Sequence, residues 1–216
     1  MVQFIEKWIG SAQYAKKSPY TMKAETITVH NTANDASALR EIAYMTTNDR
    51  YVSFHTAIDD VSIVQAIPYT RNAFHAGDGA NGEGNRLSIS IEICYSKSGG
   101  ARYKQAEENA VQYIAALLAE RNWGVDRLRQ HYHWSKKNCP HRIRDEKRWV
   151  SFVERIEAAL RTQRFHQHMH YSVVEGANAF RVQSGKYTTK EAAEQAAGKA
   201  LASGALHYVT IIGVKE

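Results

Sequence analysis

The chain has 216 residues, 44% of them apolar and 23% charged, with a formal net charge of +6 and only two cysteines. That length supports one well-packed core plus a small appendage, and the charge, +3 from residues 1–160 and +3 from 161–216, favours an anionic partner only weakly. No apolar run reaches the roughly 18 residues that suggest a membrane span, two cysteines cannot build a disulfide framework, and no nucleic-acid module motif occurs.

The N-terminal MVQFIEKWIG has no basic stretch followed by an apolar one, so a cytoplasmic product without a signal peptide is expected. TITVHNT (26–32) alternates β-branched and polar residues as a strand does. Asp35 is placed to cap a helix whose Leu39, Ile42 and Ala43 share a face. FHTAIDD (54–60) and SIVQAIP (62–68) read as two further strands. The glycine-rich loop HAGDGANGEGNR (75–86) lacks the Gly-Lys-Ser/Thr ending of a phosphate loop; it is either a structural turn or the wall of a substrate site. LSISIEIC (87–94) is a fourth strand, and Ala110, Val111, Ile114, Leu117 and Leu118 mark a long helix. Trp149, Phe152, Val153, Ile156 and Leu160 mark another, with a cap expected near Asp145. This interleaving predicts an α/β or α+β layer fold.

From Arg161 to His170 the apolar periodicity lapses, which predicts a linker over 161–170 between a domain at 1–160 and a module at 171–216. The histidines of HQHMH there are read as solvated linker residues. In the module, NAFRVQSG and ALHYVTIIGV read as strands and TTKEAAEQAAGKALAS as a helix. So small a unit is near the lower limit for independent folding, so docking, dimerisation or marginal stability is expected.

The chemistry concentrates in three places. His131 and Cys139 lie in QHYHWSKKNCP, and His30 ends the apolar run TITVH. Three such donors suit a zinc ion that keeps one position open, as catalytic rather than structural zinc does. Strand alternation sets Ile27 and Val29 against Thr26, Thr28 and His30, and sets Ile89, Ile91 and Ile93 against Ser88, Ser90, Glu92 and Cys94. If both strands share a sheet whose isoleucine face is covered by helices, His30 and Glu92 reach one cleft, where the carboxylate can serve as general base. Cys94 is read as an inert packed thiol.

In VHNTAN (29–34), SFHTAIDD (53–60), HAGDG (75–79), SISIEIC (88–94) and HYHWSKKNCP (131–140), the chain resembles the zinc-dependent N-acetylmuramoyl-L-alanine amidases of the type-2 class over roughly residues 20–160. FRVQSGKYTTKEAAEQA (180–196) resembles the short wall-binding modules of Bacillus phage and prophage enzymes. The resemblance implies an α/β fold with a mixed central β-sheet flanked by helices, plus a small C-terminal α+β module. It implies Zn2+ on His30, His131 and Cys139, Glu92 as general base and then acid, and Lys137 stabilising the oxyanion. His75 and His55 are implied as substrate-binding or supporting residues. The implied substrate is bacterial peptidoglycan, cut between N-acetylmuramic acid and L-alanine, with a secondary wall polymer as a possible ligand of a module that could oligomerise on a monomeric catalytic domain. Action as an endolysin released through a holin-type opening is the implied setting, and a non-catalytic peptidoglycan binder of the same fold is the alternative. Two departures stand out: His133, where relatives often have Asp, competes with His131 for the metal, and Lys136 replaces a frequent glycine, so either Lys136 or Lys137 could reach the cleft.

Overall fold

Strands rich in Ile, Val and Thr build the sheet that positions the site in the computed structural model, which describes residues 2–168, 172–176, 179–182, 185–187, 195 and 210–213. In chain order the elements up to His168 are β1 (Gln3–Glu6), α1 (Tyr14–Lys17), β2 (Thr26–Asn31), α2 (Ala38–Thr47), β3 (Thr56–Ile58), β4 (Ser62–Gln65), α3 (Glu83–Leu87), β5 (Ser88–Ile93), α4 (Gly100–Glu120), β6 (Leu128–Gln130), α5 (His131–Ser135), α6 (His141–Asp145) and α7 (Trp149–His168). The sheet order is β1-β4-β3-β5-β2-β6, parallel throughout except for the β3–β4 pair. Asp59 closes that antiparallel turn by accepting from the Val61 and Ser62 amides, while its other oxygen accepts from Ala38 N at the start of α2. The fold is thus the expected α/β architecture with a mixed sheet and flanking helices.

One face of the sheet is apolar. Ile27, Val29, Ile89, Ile91 and Ile93 are fully buried, and α4 packs on that side with Ala106, Ala110, Ile114 and Leu118 also at 0% exposure. Burying one such isoleucine or leucine is worth roughly 1.5–3 kcal/mol, so this layer dominates the stability of the domain. The opposite face, polar in sequence, is closed over most of its length. Thr28, Ser88 and Ser90 are fully buried. Thr28 and Ser88 share a hydroxyl hydrogen bond of 2.6 Å, and Trp134 Nε1 donates to Thr28 Oγ1 at 2.9 Å, so α5 closes this layer. Only the carboxyl end of the strands, at His30 and Glu92, opens to a cleft, the usual place for a site in a parallel sheet.

Two helix starts differ from expectation. Ser37, not Asp35, caps α2, its hydroxyl accepting from Arg40 N, and Asp35 instead accepts from the amide and hydroxyl of Ser98. Both residue types cap well, and Ser37 wins because it sits at the right offset from Arg40. The buried side of α2 is Ala38, Glu41, Ile42 and Met45, leaving Leu39 exposed. Asp145 ends α6, and α7 begins four residues later at Trp149. Helix α7 then continues to His168 through the stretch expected to be linker, because no Gly or Pro interrupts it.

Lys17 is fully buried. Its ammonium donates to Asn48 Oδ1 (2.9 Å), Arg50 O (2.5 Å) and Val52 O (3.1 Å), which satisfies all three protons and ties down the loop after α2. Lys17→Met is expected to lower stability by roughly 1–3 kcal/mol, because three part-buried hydrogen bonds that fix the loop are lost. Urea unfolding of the full chain checks this, and a loss under about 0.5 kcal/mol would contradict the clamp.

The chain divides into two compact units, Met1–Ala159 and Leu160–Glu216. In the second, β7 (Ser172–Gly176), β8 (Ala179–Val182), β9 (Gly185–Tyr187) and β10 (Thr210–Gly213) form a sheet of order β10-β7-β8-β9, with the β10–β7 pair parallel and the others antiparallel. The helix expected over 188–203 lies outside the described residues, apart from Gln195.

Candidate metal centre and active site

Three elements deliver the site. His30 is the fifth residue of β2 and lies in register with Glu92 on β5, and β6 runs directly into α5, whose first residue is His131. Cys139 follows in the loop before α6, where its carbonyl accepts from Tyr132 N. His30, His131 and Cys139 are all buried, and their ligand atoms lie within 4.8 Å of one another. Glu92 Oε1 stands 3.8 Å from His30 Nδ1.

The hydrogen bonds fix which imidazole nitrogens carry protons. A carbonyl can only accept, so His75 Nε2 donates to Ser88 O (3.2 Å), which leaves His75 Nδ1 as an acceptor. His30 Nε2 therefore donates to His75 Nδ1 at 3.0 Å, and His30 Nδ1 is a bare lone pair. His131 Nε2 faces the Ala76–Gly77 backbone, the Ala76 carbonyl accepts from the ring, and its Nδ1 is bare as well. The two bare nitrogens face each other at 3.1 Å with Cys139 Sγ 3.7 Å from His30 Nδ1. Such a meeting of lone pairs is repulsive until a cation lies among them. Ligands of a tetrahedral ion with bonds of about 2.0–2.3 Å sit roughly 3.3–3.8 Å apart, close to these separations. The donor set therefore fits a metal ion.

Electrostatics points the same way. Burial, first, and the neighbouring imidazoles hold His30 and His75 well below the usual histidine range; burial, first, brings His131 down to about 4. All three are neutral near pH 7, as metal ligation and its support require. Burial, first, and Glu92 push the Cys139 thiol up to about 12, so it becomes a thiolate only beside a cation; Asn31 N already donates to its sulfur at 3.4 Å. Burial and then Glu41 push the Glu92 carboxyl up to about 8, opposed by Lys137. Glu92 Oε2 accepts no hydrogen bond within the protein.

Position separates the two residue pairs in QHYHWSKKNCP. His131 faces the cluster, whereas His133 is exposed and sits edge-on to Trp134 on the outer side of α5. Lys136 caps α5 in the left-handed conformation (φ 63°), which explains why glycine suits this position, and its ammonium lies over the Tyr132 ring. Lys137 lines the cleft with His30, Glu92 and His131. His55 does not reach the cleft: it is fully buried, its Nε2 bonds Arg71 O and its Nδ1 accepts from Ser90 N. His75 borders the cleft, but both of its ring nitrogens are engaged in the relay to His30. Cys94 is a buried free thiol, as expected.

A groove of about 680 Å³ adjoins the cluster, walled by Tyr51, Val52, Phe74, Gly77, Gly79 and Lys137. Gly77 and Gly79 adopt φ of 72° and 86°, which explains the glycines of the 75–86 loop, and at Gly84 a Cβ would collide with Trp134. Sequence reasoning missed Glu41, a second buried carboxylate at the cleft, and Asn31, whose amide supports Cys139. Nothing in a helical Glu or a strand Asn marks such roles. His75→Phe is expected to weaken divalent-metal affinity roughly 10–100-fold with unchanged circular dichroism, because His30 loses the acceptor that sets its tautomer. Chelator competition measures this, and unchanged affinity would remove the relay.

Residues 20–142 match the family described as N-acetylmuramoyl-L-alanine amidase. The chain is 54% identical over 160 residues to the N-acetylmuramoyl-L-alanine amidase CwlA and 55% identical over 152 residues to the N-acetylmuramoyl-L-alanine amidase XlyB, both of Bacillus subtilis (strain 168). These matches cover 74% and 70% of this chain but only 59% and 48% of the two relatives. Among solved structures, PlyL superposes with TM-score 0.71 at 49% identity, covering 73% of this chain and 99% of PlyL. A mutant endolysin from Bacillus subtilis gives 0.65 at 41%, covering 72% of this chain and 99% of that one.

Proposed function

Because the chain belongs to the N-acetylmuramoyl-L-alanine amidase family, we propose that it hydrolyses the amide between N-acetylmuramic acid and L-alanine in bacterial peptidoglycan, with zinc as its metal. The observation that carries this reading is the convergence of two bare imidazole nitrogens and a thiol at the end of the sheet, with an unpartnered carboxylate beside them. His30, His131 and Cys139 would hold the ion, which supplies Lewis acidity toward a carbonyl oxygen and acidifies water.

Glu92 does the proton work. Ionised where the Lys137 ammonium and a cation on the three ligands offset its burial, its Oε2 accepts a proton from the attacking water, and the same carboxyl then returns that proton to the departing L-alanine nitrogen. Attack turns the lactyl carbonyl oxygen into an oxyanion, and the Lys137 ammonium at the cleft is the cation this chain offers to it. Tyr51, Val52 and Phe74 give the adjoining groove apolar walls, suited to the sugar and peptide on either side of the bond.

The same proposal takes residues 171–216 as a wall-binding module and the chain as a phage or prophage lysin reaching the wall through a holin-type opening. The likeness to an endolysin supports that setting, and among the described residues no helix is long and apolar enough to cross a membrane. Metal analysis tests the core of the proposal. Purified protein should carry about one zinc per chain; a chelator should abolish wall lysis, and zinc should restore it. Full lysis by metal-free protein would overturn the reading.

A further inference from the structure

The whole chain's charge is concentrated on one segment. Residues 127–148 contain eight Lys or Arg against two acidic residues, a balance of +6 that equals that of all 216 residues. Several of these cations are neutralised in place: Arg127 pairs with Asp126, Arg142 with Glu146, and Arg148 with Glu107 and Glu146.

Around Tyr132 the pattern changes. Arg144 stacks on its ring at 3.7 Å and donates only to the amide oxygens of Asn138 and Gln130. Lys136 lies over the same ring at 5.3 Å. Arg129 donates to the carbonyls of Asp126 and Leu128. Among the described residues none of these three cations meets a carboxylate within ion-pair distance. Arg129 and Lys136 line a recess of about 460 Å³ together with Gln130, Tyr132, His133 and Trp149, free of acidic side chains, and Arg144 adjoins it through its contacts with Tyr132 and Gln130. The two lining cations and the adjoining Arg144 carry like charge with no carboxylate among them, and an anion seated in the recess relieves their repulsion.

We infer that this recess binds a phosphodiester-linked anionic polymer of the cell wall, holding the chain beside the bond it cuts. The inference rests on the wall-hydrolase reading. The Arg129 guanidinium and the Lys136 ammonium match phosphate oxygens, while the Tyr132 and Trp149 rings suit the sugar or polyol units between phosphates. A nucleic acid shares the phosphodiester but brings flat bases, for which the recess offers no pair of parallel aromatic faces.

The test compares the full chain with its Arg129→Gln/Lys136→Gln variant in co-sedimentation with purified walls, untreated or stripped of phosphodiester polymers by hydrofluoric acid. The variant is expected to bind untreated walls about tenfold more weakly and stripped walls equally well, and the difference should shrink in about 0.5 M salt. Equal binding to untreated walls, or a loss that persists on stripped walls, would overturn the site. So would a labelled single-stranded oligonucleotide that displaces the protein from untreated walls as effectively as the extracted wall polymer. Cleavage of a soluble muramoyl peptide is followed separately; its absence in the wild-type chain would remove the amidase reading while leaving the binding comparison intact.

Discussion

Glu92→Gln is expected to lower the rate of wall hydrolysis by roughly 10²–10⁴-fold while leaving metal content unchanged. The substitution keeps shape and removes only the ability to take up a proton. Glu92 lies outside the trio of converging ligand atoms, so nothing in the metal set is disturbed. Folding should tolerate it too: Oε2 accepts no hydrogen bond within the protein, and the change removes repulsion from Glu41. Activity within tenfold of the wild type would end the general-base role. A rate loss that tracked lost zinc would instead make Glu92 a support of the metal site.

The second large effect separates two histidines two residues apart. His131→Ala should abolish stoichiometric metal binding and reduce hydrolysis by on the order of 10³-fold or more, since several kcal/mol of Lewis-acid stabilisation depends on the bound ion. His133→Ala should retain both. The reason is the phase of α5: His131 is buried with its bare Nδ1 toward His30, whereas His133 is exposed on the opposite side beside Trp134. Parallel measurement of zinc content and wall lysis decides the matter, and metal loss in the His133 variant would reverse the assignment.

Much of this arrangement is legible in the residues. The alternation in TITVHNT and SISIEIC is long enough to define faces, and it puts His30 and Glu92 on the polar ones, which the parallel pairing of β2 and β5 then brings side by side. The short strands β1 and β6 are not legible, because QFIE and LRQ carry at most one β-branched residue each, whereas the equally short TAI of β3 and SIVQ of β4 carry two. Polarity of a strand face likewise does not reveal exposure: Thr28, Ser88 and Ser90 are polar yet buried, and while Thr28, Ser88 and Trp134 satisfy one another, the Ser90 hydroxyl has no partner.

The supporting residues were hidden for a different reason. Lysine is rarely buried, and Lys17 is buried only because three acceptors converge from a loop more than thirty residues away in the chain. His55 and His75 look alike in sequence, and only their partners separate them: two backbone groups engage His55, whereas His75 passes one contact on to His30. Asp35 and Ser37 are equally good caps on paper. Which one faces the free amide of α2 depends on where Ser98 draws Asp35 away.

The most direct measurement is the identity of the bond cut, read by mass analysis of purified walls digested with the full chain. The account predicts new free amino groups on L-alanine, glycan strands still carrying intact lactyl groups, and no new reducing ends. New reducing ends with the muramoyl amide left intact would contradict it.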